Sequence, residues 1–214
     1  MGMMGSIFLL PVFAQTFLGY SATESGYLFM PMAFTMVLAS PIGGSLVGKV
    51  QARYVIFVST IIAAIGIFMF TNIEPKSTAI DIIIPLVVMA FGLGLGMAQR
   101  TSIVASVVDP HEIGIASSVL ALVRNIAGAF GIAIFGTILS NRTLSNVLTI
   151  NAHSTLSSHD PNIVKTFVSL IILKAEVNAY SYVFLIAGII IFLGSFTILF
   201  LKIKERNDIK VHVE

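Results

Sequence analysis

One arginine, Arg124, stands inside an apolar stretch that runs from Ile113 to Leu139. A charge in hydrocarbon costs roughly 2.5–3.5 kcal/mol on insertion scales, so such a residue faces a protein interior or a watery cavity. Two readings follow: a structural arginine bonded to backbone carbonyls, or a functional group on a polar pathway. Ser117, Ala121, Arg124, Gly128 and Gly131 recur at steps of four and three, which is one helix face. Small residues let membrane helices approach closely, so Ala121, Gly128 and Gly131 read as a packing seam. Packing does not account for the arginine, or for Asn125 beside it.

Other polar groups interrupt apolar runs at Gln15, Gln99 and Arg100. The run Gly92-Leu93-Gly94-Leu95-Gly96 has the look of a nucleotide loop, but no strand precedes it. Close helix packing at Gly92 and Gly96 is the better reading. Arg100 shares their face, where it either snorkels to the membrane boundary or turns inward.

Several chemistries are excluded. No acid lies inside any apolar run, and a proton relay needs a buried carboxylate or histidine. His111, His153, His159 and His212 lack metal-ligand spacing. No nucleophile–base pair or carboxylate pair can be assembled, so an enzyme is not expected, and neither is a metal or cofactor. Cysteine is absent, which removes disulfides and thiolate sites. The net charge of +2 is carried by scattered or terminal basic residues, which argues against a nucleic-acid surface.

These residues need elements that hold them in lipid. The chain is 57% hydrophobic and 10% charged, with mean hydropathy +0.99, whereas soluble domains average about 25% charged. The expected fold is all-α: a polytopic bundle of six transmembrane helices over 1–201, with a cytoplasmic tail at 202–214. The spans, lettered A to F, are about 1–19, 26–47, 54–71, 82–106, 113–139 and 182–201. Prolines 11, 31, 41 and 85 are tolerated where neighbours re-satisfy freed carbonyls. Asp109-Pro110-His111-Glu112 reads as a helix start, with Asp109 as N-cap and Glu112 closing a capping box. The segment 140–181, rich in Ser, Asn and Thr, reads as a long outer loop. Asn141-Arg142-Thr143 in it is a coincidental glycosylation sequon.

Lys49 and Arg53 mark the B–C loop as cytoplasmic, as Lys202, Lys204, Arg206 and Lys210 mark the tail. The chain then starts inside, in an abrupt manner that a piece of a longer protein would show. Spans C and F are nearly pure aliphatic and aromatic and are expected on the lipid-facing periphery. A, D and E carry the amides and guanidinium groups and are expected to face a cavity, with B intermediate.

Leu10-Pro11-Val12-Phe13-Ala14-Gln15, Leu18-Gly19-Tyr20-Ser21-Ala22, Pro31 and Ala39-Ser40-Pro41-Ile42-Gly43-Gly44 together resemble the second half of the fourteen-span drug:proton antiporters of the major facilitator superfamily. Gly94-Leu95-Gly96-Met97 and Leu122-Val123-Arg124-Asn125-Ile126-Ala127-Gly128 look like that family's last-but-one helical pair. The stretch from Gly44 through Leu46 and Lys49 to Arg53 resembles a worn copy of the superfamily's cytoplasmic loop motif. Gly48 stands where the motif's acid is usual, and Gln51 where its second glycine is usual.

The resemblance implies one half of a transporter whose halves rock about a midplane site. It implies a multi-pass protein of the cytoplasmic (inner) membrane that exports amphipathic or cationic drugs in exchange for protons. No cofactor is implied; the proton gradient is the energy source. Helices A, B, D and E would line the cavity. Arg124 would order it or engage an acid, with Gln15, Gln99 and Asn125 as hydrogen-bonding groups. Phe13, Phe17, Phe29 and Met30 would offer adaptable apolar contact. The partners implied are the missing N-terminal half, the lipid bilayer and small-molecule drugs; a periplasmic adaptor is left open. The rival reading is a non-transporting remnant, or a half that pairs with another membrane bundle.

Overall fold

The computed structural model describes residues 2–74, 77–109, 111–152 and 161–200. The expected tail at 202–214, with its basic residues and His212, lies outside them, as do Pro110, His153 and His159. Among the described residues there is no strand.

Helix α1 spans Gly2–Phe17. Its buried positions Gly2, Gly5, Ser6, Leu9, Leu10, Phe13 and Ala14 follow helical spacing, so one face is covered. It stops at Gly19, whose φ of +68° suits a residue without Cβ, and the Tyr20 N–H turns back to the Ala14 carbonyl at 3.3 Å. Helix α2 (Ala22–Tyr27) opens with a capping box: the Ser21 N–H donates to Glu24 Oε2 at 2.8 Å and the Glu24 N–H to Ser21 Oγ at 3.2 Å. Helix α3 (Met30–Ser45) continues it after a break at Leu28 and Phe29. Pro31 causes the break, because it has no N–H for the carbonyl four residues back.

Helix α4 spans Ala52–Met69 and runs into a 3₁₀ turn at Phe70–Asn72. Helix α5 (Ala79–Val107) begins with a second capping box, Thr78 with Asp81. Helices α6 (Ile113–Ala152) and α7 (Pro161–Leu199) are 40 and 39 residues long.

The helices form an open arc rather than a closed ring. Helix α5 packs on α3 and α4, α4 on α7, and α7 on α6 and α1, while α1 also crosses α6. Helices α5 and α6 scarcely touch. The α4–α5 crossing is close because Gly92 lacks a side chain: a Cβ there would lie 2.5 Å from the Ala63 N and Ser59 O. The core gathers Leu10, Phe13, Ile67, Phe70, Leu86, Met89, Val183 and Phe184, where α1, α4, α5 and α7 converge. Phe70 and Phe184 stack there at 5.2 Å between ring centroids.

Among the described residues, five stretches are long and apolar enough to cross a membrane: Ala22–Ser45, Ala52–Asn72, Ala79–Val104, Ile113–Thr149 and Phe167–Leu199. Helix α1, at 16 residues, is the shorter sixth, about 24 Å at 1.5 Å per residue against a hydrocarbon core of about 30 Å.

Three expectations need correction. The described parts of the segment 140–181 are helix, not loop: α6 continues to Ala152 and α7 begins at Pro161. No Gly or Pro lies between Thr137 and Asp160, and hydroxyls such as Thr137 bond back to the carbonyl four residues earlier, so polar composition does not end the helix. The two helices also clasp each other. Asn146 Nδ2 donates to the Ala175 carbonyl at 3.1 Å, and the Arg142 guanidinium lies 3.9 Å over the Tyr182 ring. Second, α6 starts at Ile113, after a turn in which the Glu112 N–H donates to the Asp109 carbonyl at 2.8 Å. Third, α4 is not peripheral within this chain. Half of its span is buried, against 17% for the α2–α3 span and for α6. A helix apolar all round suits burial between two neighbours as well as it suits lipid.

Candidate functional site

The small face of α6 divides into two parts. Its later part packs on α1. Gly5 of α1 faces Phe135 and the Gly131 carbonyl, which a Cβ on Gly5 would approach at 3.0 Å. The Met4 side chain sits over Gly128. Both Gly128 and Gly131 are buried. The earlier part of the same face meets nothing, and from Gly114 to Ile126 nearly every residue is exposed.

There α6 diverges from α5 and leaves a cleft of about 240 Å³. Thr101 and Val104 of α5 form one wall; Ile113, Ser117, Leu120, Ala121 and Arg124 of α6 form the other. Arg124 is exposed in this cleft and makes no hydrogen bond or ion pair with the described residues. Asn125, next to it, is exposed too.

Arg100 lies on the far side of α5. Its side chain folds back along its own helix, as long helical side chains do, until the guanidinium lies against Gly96. A Cβ at Gly96 would sit 3.2 Å from Arg100 Cζ. Arg100 Nη2 donates to Thr60 Oγ1 of α4 at 3.1 Å, and the Thr60 hydroxyl donates to the Ile56 carbonyl at 2.7 Å. Arg100 therefore turns inward rather than snorkelling. The charges of Arg100 and Arg124 are close enough to interact. The sequence carried a signal for this slot, a glycine one turn before an arginine, but nothing in it named Thr60 as the acceptor.

The remaining expected cavity residues scatter. Gln15 and Met30 are exposed, and Phe29 is half-buried against the core. Two belong elsewhere. Phe13 is fully buried, edge-on to Tyr180 at 5.3 Å and against Phe17 at 4.8 Å. Gln99 is 1% exposed and its Nε2 points at the Gly43 carbonyl of α3 at 3.5 Å, so it ties α3 to α5. A helical run of apolar residues does not reveal which neighbour covers a given position.

In the loop motif, Lys49 is exposed, Gly44 is half-buried near Ala98, and Leu46 lines a small apolar hollow with Tyr54 and Leu95. Arg53 Nε donates to Gln51 Oε1 at 2.9 Å, and its guanidinium lies 4.8 Å over the Tyr54 ring. The arginine's partner is thus the residue that replaces the motif's glycine. Among the described residues no group of three His, Asp or Glu could hold a metal ion.

This arrangement offers charge, hydroxyls and apolar walls in one open cleft, and no acid–base pair. It suits binding rather than bond-breaking chemistry.

Residues 1–132 match the Major Facilitator Superfamily. The chain is 31% identical over 148 residues to Multidrug transporter protein MdtP of Bacillus subtilis, covering 69% of this chain and 27% of that protein. It is 28% identical over 209 residues to Multidrug resistance protein 3 of the same organism, covering 90% of this chain and 41% of that protein. With Multidrug export protein EmrB of Haemophilus influenzae it shares 29% identity over 140 residues, 65% of this chain and 28% of that protein. The chain thus spans well under half the length of these relatives.

Proposed function

Since the chain belongs to the major facilitator superfamily, we propose that this multi-pass membrane protein is the C-terminal half of a drug efflux permease. It works by alternating access, exporting amphipathic or cationic organic compounds in exchange for protons. The observation that carries the reading is the open side of the arc. Only 17% of the α2–α3 span and of the α6 span is buried within the chain, and Arg124, without a hydrogen bond or ion pair among the described residues, lies on that side. A second bundle there, the half that the longer relatives carry, would close the cavity. The relatives' names, each a multidrug protein, support drugs as the cargo. By the positive-inside rule the Lys49–Arg53 end is cytoplasmic, in the inner membrane, which places the α6–α7 connection outside.

Accumulation of a panel of amphipathic dyes, cationic and anionic, in a pump-deficient bacterium tests this. The full-length protein should lower accumulation, a protonophore should abolish the effect, and Arg124→Ala should weaken it. Accumulation equal to that with an empty vector would overturn the reading. It would also favour the second one, a non-transporting remnant or scaffold half, to which the lack of acids within Ile82–Val107 and Ile113–Ala152 points.

A further inference from the structure

The facing walls of α5 and α6 hold positive charge that no acid in either helix answers. Neither Ile82–Val107 nor Ile113–Ala152 contains an Asp or Glu. Arg100 is accommodated by Thr60, but its charge still acts on Arg124. Asp109 and Glu112 lie in the turn between the helices, and neither lines the cleft. Among the described residues the lining also has no aromatic ring. An organic cation in the cleft would therefore meet the Arg124 guanidinium and neither of the features that attract cations, a carboxylate or a π face. An anion would meet the Arg124 guanidinium and the Ser117 hydroxyl, with Val104, Ile113 and Leu120 as apolar walls.

We infer that the α5–α6 cleft binds the carboxylate or sulfonate group of an amphipathic organic anion, with Arg124 as counter-ion and Ser117 as donor. This narrows the substrate class of the proposed permease and rests on that reading for its biological meaning. Binding itself is measurable without transport.

The probe is 8-anilinonaphthalene-1-sulfonate, with ethidium as a cationic counterpart, titrated by fluorescence polarisation. The protein is the full chain in phosphatidylcholine nanodiscs; it has no tryptophan to interfere. The sulfonate should bind saturably. Arg124→Gln should weaken it about tenfold or more, as expected on losing a charge-assisted hydrogen bond. Arg124→Lys should keep most of the affinity, and Ser117→Ala should cost a smaller factor. Ethidium binding should be unchanged or tighter in Arg124→Gln. Equal sulfonate affinity in wild type and Arg124→Gln would overturn the inference. So would parallel losses of ethidium and sulfonate. Loss of sulfonate binding when phosphatidylglycerol is added to the discs would give the cleft to a lipid headgroup and overturn it too. Failed efflux with intact, Arg124-dependent sulfonate binding would sink the transport reading and leave this one standing.

Discussion

Arg100 and Thr60 are joined across the α4–α5 interface by a hydrogen bond of 3.1 Å, forty residues apart in the chain. It sits one turn from the glycine crossing at Gly92, so a charge and a close backbone contact occupy the same seam. Thr60→Val keeps the shape and removes the acceptor. A hydrogen bond to a charged group is worth about 1.5–3 kcal/mol, and a stranded guanidinium adds its desolvation penalty. Thermal unfolding in detergent should show a fall in Tm for Thr60→Val that Thr60→Ser largely avoids.

The glycines divide by what their Cβ would meet. At Gly92 a methyl group would strike the α4 backbone, and Gly92→Ala should cost about 1–3 kcal/mol as the helices separate. Nothing lies within 4 Å of such a methyl at Gly136, deep in α6. Gly136→Ala should stabilise by up to about 1 kcal/mol through helix propensity. Denaturation of the two variants side by side gives opposite signs if the packing is as described.

Phe13 and Met30 were expected to share a cavity, and their mutants should differ sharply. Phe13→Ala removes a fully buried ring from the cluster with Phe17 and Tyr180, a loss of about 3–5 kcal/mol. Met30 is 61% exposed, so Met30→Ala should leave stability within about 0.5 kcal/mol. Folded yield after detergent extraction is the readout.

Topology can be read with a thiol reagent, because the chain has no cysteine of its own. Leu148→Cys, on the exposed flank of α6, should react with a membrane-impermeant maleimide on intact cells. Lys49→Cys should react only after permeabilisation. The reverse pattern would invert the proposed orientation.

Much of this architecture was legible in the residues. The apolar runs marked where the long helices lie, but not α2, whose Ala22–Tyr27 falls largely between the first two expected spans. The length of α6 and α7 was not legible, because Ser, Asn and Thr between 140 and 160 read as loop composition. What keeps the described part helical is a partner helix, through Asn146 and Arg142. The destination of Gln99 was hidden for a similar reason. An amide in an apolar run announces that it needs a partner but not which carbonyl will serve, and here it is Gly43 of α3. Arg124 was legible as an anomaly, and the structure adds the cleft around it.

Helices α6 and α7, at 40 and 39 residues, are each about 60 Å long, twice the thickness of the oily layer they cross. Such rods act as levers. A lean of about ten degrees at one face of the membrane swings the opposite tip by roughly 10 Å. Anything that grips the far end of this pair, an antibody fragment for instance, would therefore hold back a small rearrangement deep inside.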